Sequence, residues 1–94
     1  MTIKYTNNFL KQLKKSNVRI RKAFKQCILL FEKNPNDLEL NNHPLQREYI
    51  GFRSIDITAD YRAVYKEVIQ DDDTYIYFTS FGTHTQLYGE STGT

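Results

Sequence analysis

Apolar and polar positions follow two different periods along this chain, and the change of period divides it. Near the start, Thr2–Tyr5 alternates and is rich in β-formers, which predicts a short first strand. Asn7 and Asn8 offer helix caps before Phe9, Leu10 and Leu13, which recur at helical spacing with Lys11, Lys14 and Lys15 outside. Ser16-Asn17 reads as a break and a new cap. From Val18 onward, Ile20, Ala23, Phe24, Cys27, Ile28 and Phe31 trace the i, i+3, i+4, i+7 stripe of a second amphipathic helix. Arg19, Arg21, Lys22 and Lys25 occupy its other side. Asn34-Pro35 ends it, because proline disfavours helix in the residue before it. These segments predict a helical hairpin with an apolar inner face and a basic outer one.

Residues 36–48 read as irregular, with Asn41-Asn42-His43-Pro44 as a loop signal. The period then becomes two. Arg53, Ile55 and Ile57 alternate with Ser54 and Asp56, and β-rich runs follow at 61–68 and 75–81. Thr58-Ala59-Asp60 and Gln70-Asp71-Asp72-Asp73 supply the turns. Gly82-Thr83-His84 closes the last run, Gln86-Leu87-Tyr88 is expected to add a short edge element, and residues 89–94 to fray. The predicted order is β-α-α-β-β-β. This is an α+β fold in one domain, residues 1–94, with the hairpin packed on one face of a mainly antiparallel sheet.

Charge sharpens the picture. The net charge of +2 hides an asymmetry: residues 1–34 carry +8 and residues 35–94 carry −6. The N-terminal half is therefore expected to face something anionic, either nucleic acid or an acidic protein. Cys27 is the single cysteine, which excludes an intrachain disulfide, and its setting Cys27-Ile28-Leu29-Leu30-Phe31 suits a buried structural thiol. That run is far short of the ~18 apolar residues of a membrane span. The lysine-interrupted start has no signal-peptide core. The expected location is cytoplasmic, with no membrane partner.

Chemistry centres on two histidines, His43 and His84, both beside strands rather than on an apolar helix face. Their spacing with Cys27 fits no usual zinc site. There is no Gly-x-Ser-x-Gly elbow, and the four glycines are scattered without a phosphate loop. What remains suits metal-free, cofactor-free acid–base work on a phosphodiester. RNA brings its own nucleophile, the 2′-hydroxyl. The enzyme must take that proton, stabilise charge at phosphorus and protonate the leaving oxygen. Histidine suits proton transfer near neutrality, and arginine is a permanent planar donor for phosphate. His43, His84, Asp60, Arg53 and Arg62 all fall on or beside the same predicted sheet.

Four ordered segments then carry a resemblance: His43-Pro44-Leu45, Gly51-Phe52-Arg53-Ser54, Asp60-Tyr61-Arg62-Ala63-Val64-Tyr65 and Gly82-Thr83-His84-Thr85-Gln86-Leu87-Tyr88. The chain resembles the RelE/ParE toxin superfamily, with its RelE-like microbial RNase fold, and within it the YafQ-type mRNA interferases. The resemblance implies ribosome-dependent cleavage of mRNA in the A site, restrained by a cognate antitoxin. It implies that His84 protonates the leaving oxygen, that Asp60 and His43 belong to the acid–base set, and that Arg62 contacts the scissile phosphate. Tyr88 falls where an aromatic holds the substrate. Lys11, Lys14, Lys15, Arg19 and Lys22 of the basic face, with Arg53 of the sheet, are expected to contact RNA. One departure stands out: where YafQ-type toxins have a further histidine early in the central strand, this chain has Asp56. Two alternatives stay open, a ParE-like toxin that binds gyrase and a decayed toxin that only binds its antitoxin.

Overall fold

The computed structural model describes residues 1–89, and the expected fraying of the tail falls largely outside them. The elements run β1 (Thr2–Tyr5), α1 (Asn7–Lys15), α2 (Val18–Lys33), β2 (His43–Pro44), β3 (Phe52–Asp56), β4 (Tyr61–Gln70), β5 (Asp73–Thr83) and α3 (His84–Tyr88), with one-turn 3-10 helices at Leu38–Leu40 and Arg47–Tyr49. Helices pack on a five-stranded sheet of order β1-β5-β4-β3-β2. Only the β1–β5 pair is parallel. The α+β architecture is thus as the periodicities predict. Two additions differ. The Asn-rich loop contributes a two-residue edge strand at His43, and the segment expected to be an edge element is the helix α3.

Local chemistry explains the boundaries. Thr6, rather than Asn7 or Asn8, caps α1: its hydroxyl accepts from the Phe9 N–H at 3.1 Å. Asn17 caps α2 in the same way through the Ile20 N–H at 3.0 Å. The β4–β5 turn puts Asp71 and Asp72 in the left-handed region, at φ 52° and 68°, as a two-residue hairpin turn requires. α3 forms because Thr83-x-x-Gln86 is a reciprocal capping box.

The core lies on one side of the sheet. Phe78, fully buried, touches the rings of Tyr5, Phe9, Phe24, Phe31 and Tyr65 at centroid distances between 5.3 and 6.1 Å. It thereby joins β1, both long helices and β4. Where β1 ends, α1 takes over as the cover of β5. The Thr79 carbonyl accepts from Asn8 Nδ2 and the Thr6 hydroxyl, and the Phe81 N–H donates to Gln12 Oε1 at 2.7 Å. Side chains of α1 thus replace the missing strand ladder. Cys27 sits under the sheet edge, its thiol 3.7 Å from the Asp56 carbonyl oxygen. Burial, then the Glu39 and Asp56 carboxylates, push that thiol up, so it stays protonated and unreactive. Among the described residues no helix is long and apolar enough to cross a membrane.

Because Phe78 joins so many elements, Phe78→Ala is expected to cost about 3–5 kcal/mol. That is a large part of the ~5–15 kcal/mol typical of small proteins. Urea denaturation checks it; a loss below about 1 kcal/mol would remove Phe78 from the centre of the core.

Candidate active site

Strand parity decides which side chains meet. On β3, Ile55 is buried in the core while Ser54 and Asp56 point to the opposite, open face; on β4, Ala63 and Tyr65 go inward and Arg62 and Val64 outward. His43 pairs with Ser54, and Ser54 with Val64, so the edge-strand histidine shares that open face. Arg62 pairs with Asp56 on one side and Gly82 on the other. Tyr61 pairs with Thr83, the last pair of the β4–β5 ladder, and Asp60 and His84 each lie one residue beyond it.

His84 is exposed at the first position of α3. Its ring meets Tyr88 edge-on at 4.8 Å, one helical turn away, and Tyr88 meets Tyr49 at 5.3 Å. Tyr49 in turn donates its hydroxyl to the Leu87 carbonyl at 3.0 Å, tying the loop before β3 to the end of α3. Burial pushes the Tyr88 phenol above its usual 10.0; Ser54 and the Arg62 guanidinium pull it back in part, and Tyr49 adds to the rise. Tyr88 is therefore a neutral hydroxyl at physiological pH. Ser54 Oγ lies near it but not in regular hydrogen-bond geometry, and both oxygens are buried. Beside Tyr88 a cleft of about 490 Å³ opens over the sheet, floored by Phe52, Val64 and Ser80 and walled by Tyr49 and Leu87.

Arg62 is held in place rather than free. Its Nε lies 2.9 Å from Asp56 Oδ1, and its Nη1 donates to the Thr58, Ala59 and Tyr61 carbonyls of the β3–β4 turn. Asp56 is fixed from the other side by Asn41 Nδ2 at 3.2 Å. The aspartate at the departing position thus anchors the arginine. His43 Nδ1 lies 2.8 Å from the Asn41 carbonyl oxygen. A carbonyl only accepts, so Nδ1 carries the hydrogen and Nε2 is the basic nitrogen of the neutral ring. Two strands separate the strand bearing His43 from the one leading to His84, roughly 14 Å at the usual strand spacing.

The remaining predicted residues lie elsewhere. Arg53 shares the parity of Ile55, so it stands on the helix side of the sheet, where its Nε donates to Asn42 Oδ1 at 2.8 Å. Asn42 also donates to the Tyr65 hydroxyl, so this group closes the core edge. Arg53 and Arg62 therefore occupy opposite faces. Lys11, Lys14, Arg19 and Lys22 are exposed on the hairpin. Lys15 comes nearest the site, lining a small cavity of about 240 Å³ with Gly82 and Gln86. Ser54, Tyr49 and the Thr83–Gln86 cap are site residues that sequence reasoning misses, and Asp56 stands out there only as a departure. The cap had a signal in Thr-x-x-Gln, and Ser54 and Asp56 in their parity with Arg62; Tyr49 arrives by a loop and had none.

A sequence model of bacterial toxins of type II toxin–antitoxin systems, YafQ, matches residues 1–89. The chain belongs to the YafQ toxin family. The crystal structure of YafQ from E. coli strain BL21(DE3) superposes with a TM-score of 0.75 at 27% identity, covering 93% of this chain and 97% of that one. YafQ in the E. coli DinJ–YafQ complex gives 0.65 at 26% identity, covering 93% and 97%. A YoeB/ParE toxin from Agrobacterium tumefaciens shares the fold, with a TM-score of 0.72 at 18% identity over 89% of this chain and 99% of that one. No curated protein matches the chain.

In this YafQ-family toxin the placing of His84 depends on Gly82. A Cβ there would lie 2.8 Å from Gln86 Oε1, the atom that accepts the Thr83 N–H at 2.8 Å. Gly82→Ala is expected to displace Gln86 and cost about 1 kcal/mol, as loss of a cap does. Gln86→Ala should cost the same, and the double variant no more than either alone. Denaturant titrations of the three proteins check this; additive losses would show that Gly82 acts otherwise.

Proposed function

We propose that this toxin is an endoribonuclease that cuts mRNA in the ribosomal A site by metal-free acid–base catalysis. The observation that carries it is the end of the β4–β5 ladder: an exposed His84, edge-on to Tyr88 at 4.8 Å, one residue past the ladder's last pair, as Asp60 is on the other strand. Family membership supports the same reading.

In the proposed reaction the 2′-oxygen attacks phosphorus and the bond to the 5′-oxygen breaks. Protonated His84 gives its proton to that leaving oxygen. Asp60 receives the 2′ proton, or His43 does so through Nε2. The products are a 2′,3′-cyclic phosphate and a free 5′-hydroxyl. Arg62 alone is assigned to the phosphate, since Arg53 is on the other face. The Asp56 pair keeps Arg62 at the site, and its hydrogen bonds to the turn carbonyls exchange for phosphate oxygens when RNA binds. Tyr88 holds a base or the sugar against the His84 ring. The basic hairpin docks on ribosomal RNA, its +8 half meeting the phosphate backbone. A cognate antitoxin restrains the toxin, as the DinJ–YafQ complex suggests, and an acidic one would complement the same hairpin.

Primer extension on an mRNA in a purified translation system, with wild type and His84→Ala, tests this. Ribosome-dependent cuts should appear with wild type and fall at least 10²–10⁴-fold in the variant, the range of a positioned acid–base group. Equal cleavage by the variant overturns the role of His84. An intact message with wild type removes the nuclease reading altogether.

A further inference from the structure

The open face carries a second pattern, farther along the sheet from His84. Lys4 of β1, Tyr77 of β5, Lys66 of β4 and Phe52 of β3 form one row in which each is the direct cross-strand partner of the next. Tyr75 lies two residues along β5, its ring stacked on Tyr77 at 6.4 Å and 28°. Lys4 Nζ stands 6.0 Å from the centre of the Tyr75 ring, and Lys66 Nζ 5.9 Å from that of Phe52. Both lysines are exposed and the three rings half-buried. The intervening residues Ile76 and Phe78 fill the core on the opposite face, so packing of the core does not require this row.

Neither lysine is in an ion pair among the described residues, where Arg62–Asp56 is the one such pair. The acidic groups stand at the margins: Glu48 on the cleft wall and Asp71, Asp72 and Asp73 at the hairpin tip. Phe52 and Lys66 also line the cleft beside Tyr88, so the row continues the candidate active site without a break.

We propose that this row is a platform for the single-stranded RNA nucleotides flanking the scissile position. Bases stack on Tyr77, Tyr75 and Phe52, and phosphates meet Lys4 and Lys66. The platform rests on the RNA-cleaving role proposed above and adds where the neighbouring nucleotides bind. Alternating cations and rings on a flat sheet suit a chain of alternating phosphates and bases, since every base has a face to stack. Two exposed lysines without an ion-pair partner favour an anionic strand over a protein partner held by buried apolar anchors.

The test uses purified His84→Gln protein, so that RNA stays intact, and a short fluorescein-labelled single-stranded RNA followed by anisotropy across a salt series. Tyr77→Ala is expected to weaken binding about 5- to 100-fold, and Tyr77→Phe to retain it. Lys66→Ala should weaken binding and flatten the slope of log affinity against log salt by about 0.7, one phosphate contact on a single strand. Thermal unfolding of each variant near the parental temperature shows that the change is local. Parental affinity and slope in both alanine variants overturn the platform and leave this face to a protein partner. If wild type still cleaves in a His84-dependent manner in that case, the platform falls and the nuclease reading stands. A wild type that neither binds nor cleaves removes both.

Discussion

Packing on a single face of the sheet is the constraint from which the rest follows. A chain of this size buries only about 60–65% of its unfolded surface, enough for one core. Here that core is an aromatic cluster gathered around Phe78, with Phe9 and Phe24 from the helices and Tyr5 and Tyr65 from the flanking strands. The hairpin covers this face together with Leu40 of the following segment, leaving Glu67 and Ile69 at the far end of β4 exposed. The other face of the same strands carries no helical hairpin: Ser54 and Val64 are buried on it, while Lys4 and Lys66 are exposed. Ser54, Asp56, Arg62, Lys4 and Tyr77 stand there because they alternate with residues packed in the core, and His43 through its pairing with Ser54.

The same division separates the charges. The basic surplus sits on the outer side of the helices, with its apolar stripe turned to the sheet. The candidate chemistry is on the far side of the sheet, where fewer cations are found and each is placed. Arg62 shows how: a carboxylate and three turn carbonyls hold its guanidinium at the strand end. Asp56 therefore serves as an anchor for the arginine. The toxin keeps two histidines, one on each side of that anchored arginine.

A capping box places the more exposed of the two. α3 is one turn and a half long, too short to be stable on its own in water. It persists because Thr83 and Gln86 satisfy each other's backbone donors, because Gly82 leaves room for the glutamine, and because Tyr49 reaches the Leu87 carbonyl. His84 is thus held by the frame on both sides while its ring faces solvent and Tyr88.

By itself the sequence determined the two helices of the hairpin and the strands β1, β3, β4 and β5, because each depends on a local period: 3.6 for the hairpin, two for the strands, with a cap at Asn17 and a turn at Asp71-Asp72. The family was legible too, in ordered segments around His43, Asp60 and His84. Parity already placed Arg53 with Ile55 and apart from Ser54 and Asp56. Tertiary structure decided the rest: that β1 runs parallel beside β5, that Asn41 and Asp56 meet, that Tyr49 closes on Tyr88, and that Lys4, Tyr77, Lys66 and Phe52 form one row. The physical reason is distance along the chain. Pairings between residues tens of positions apart leave no periodic trace in either partner, and only the sheet's register brings them together.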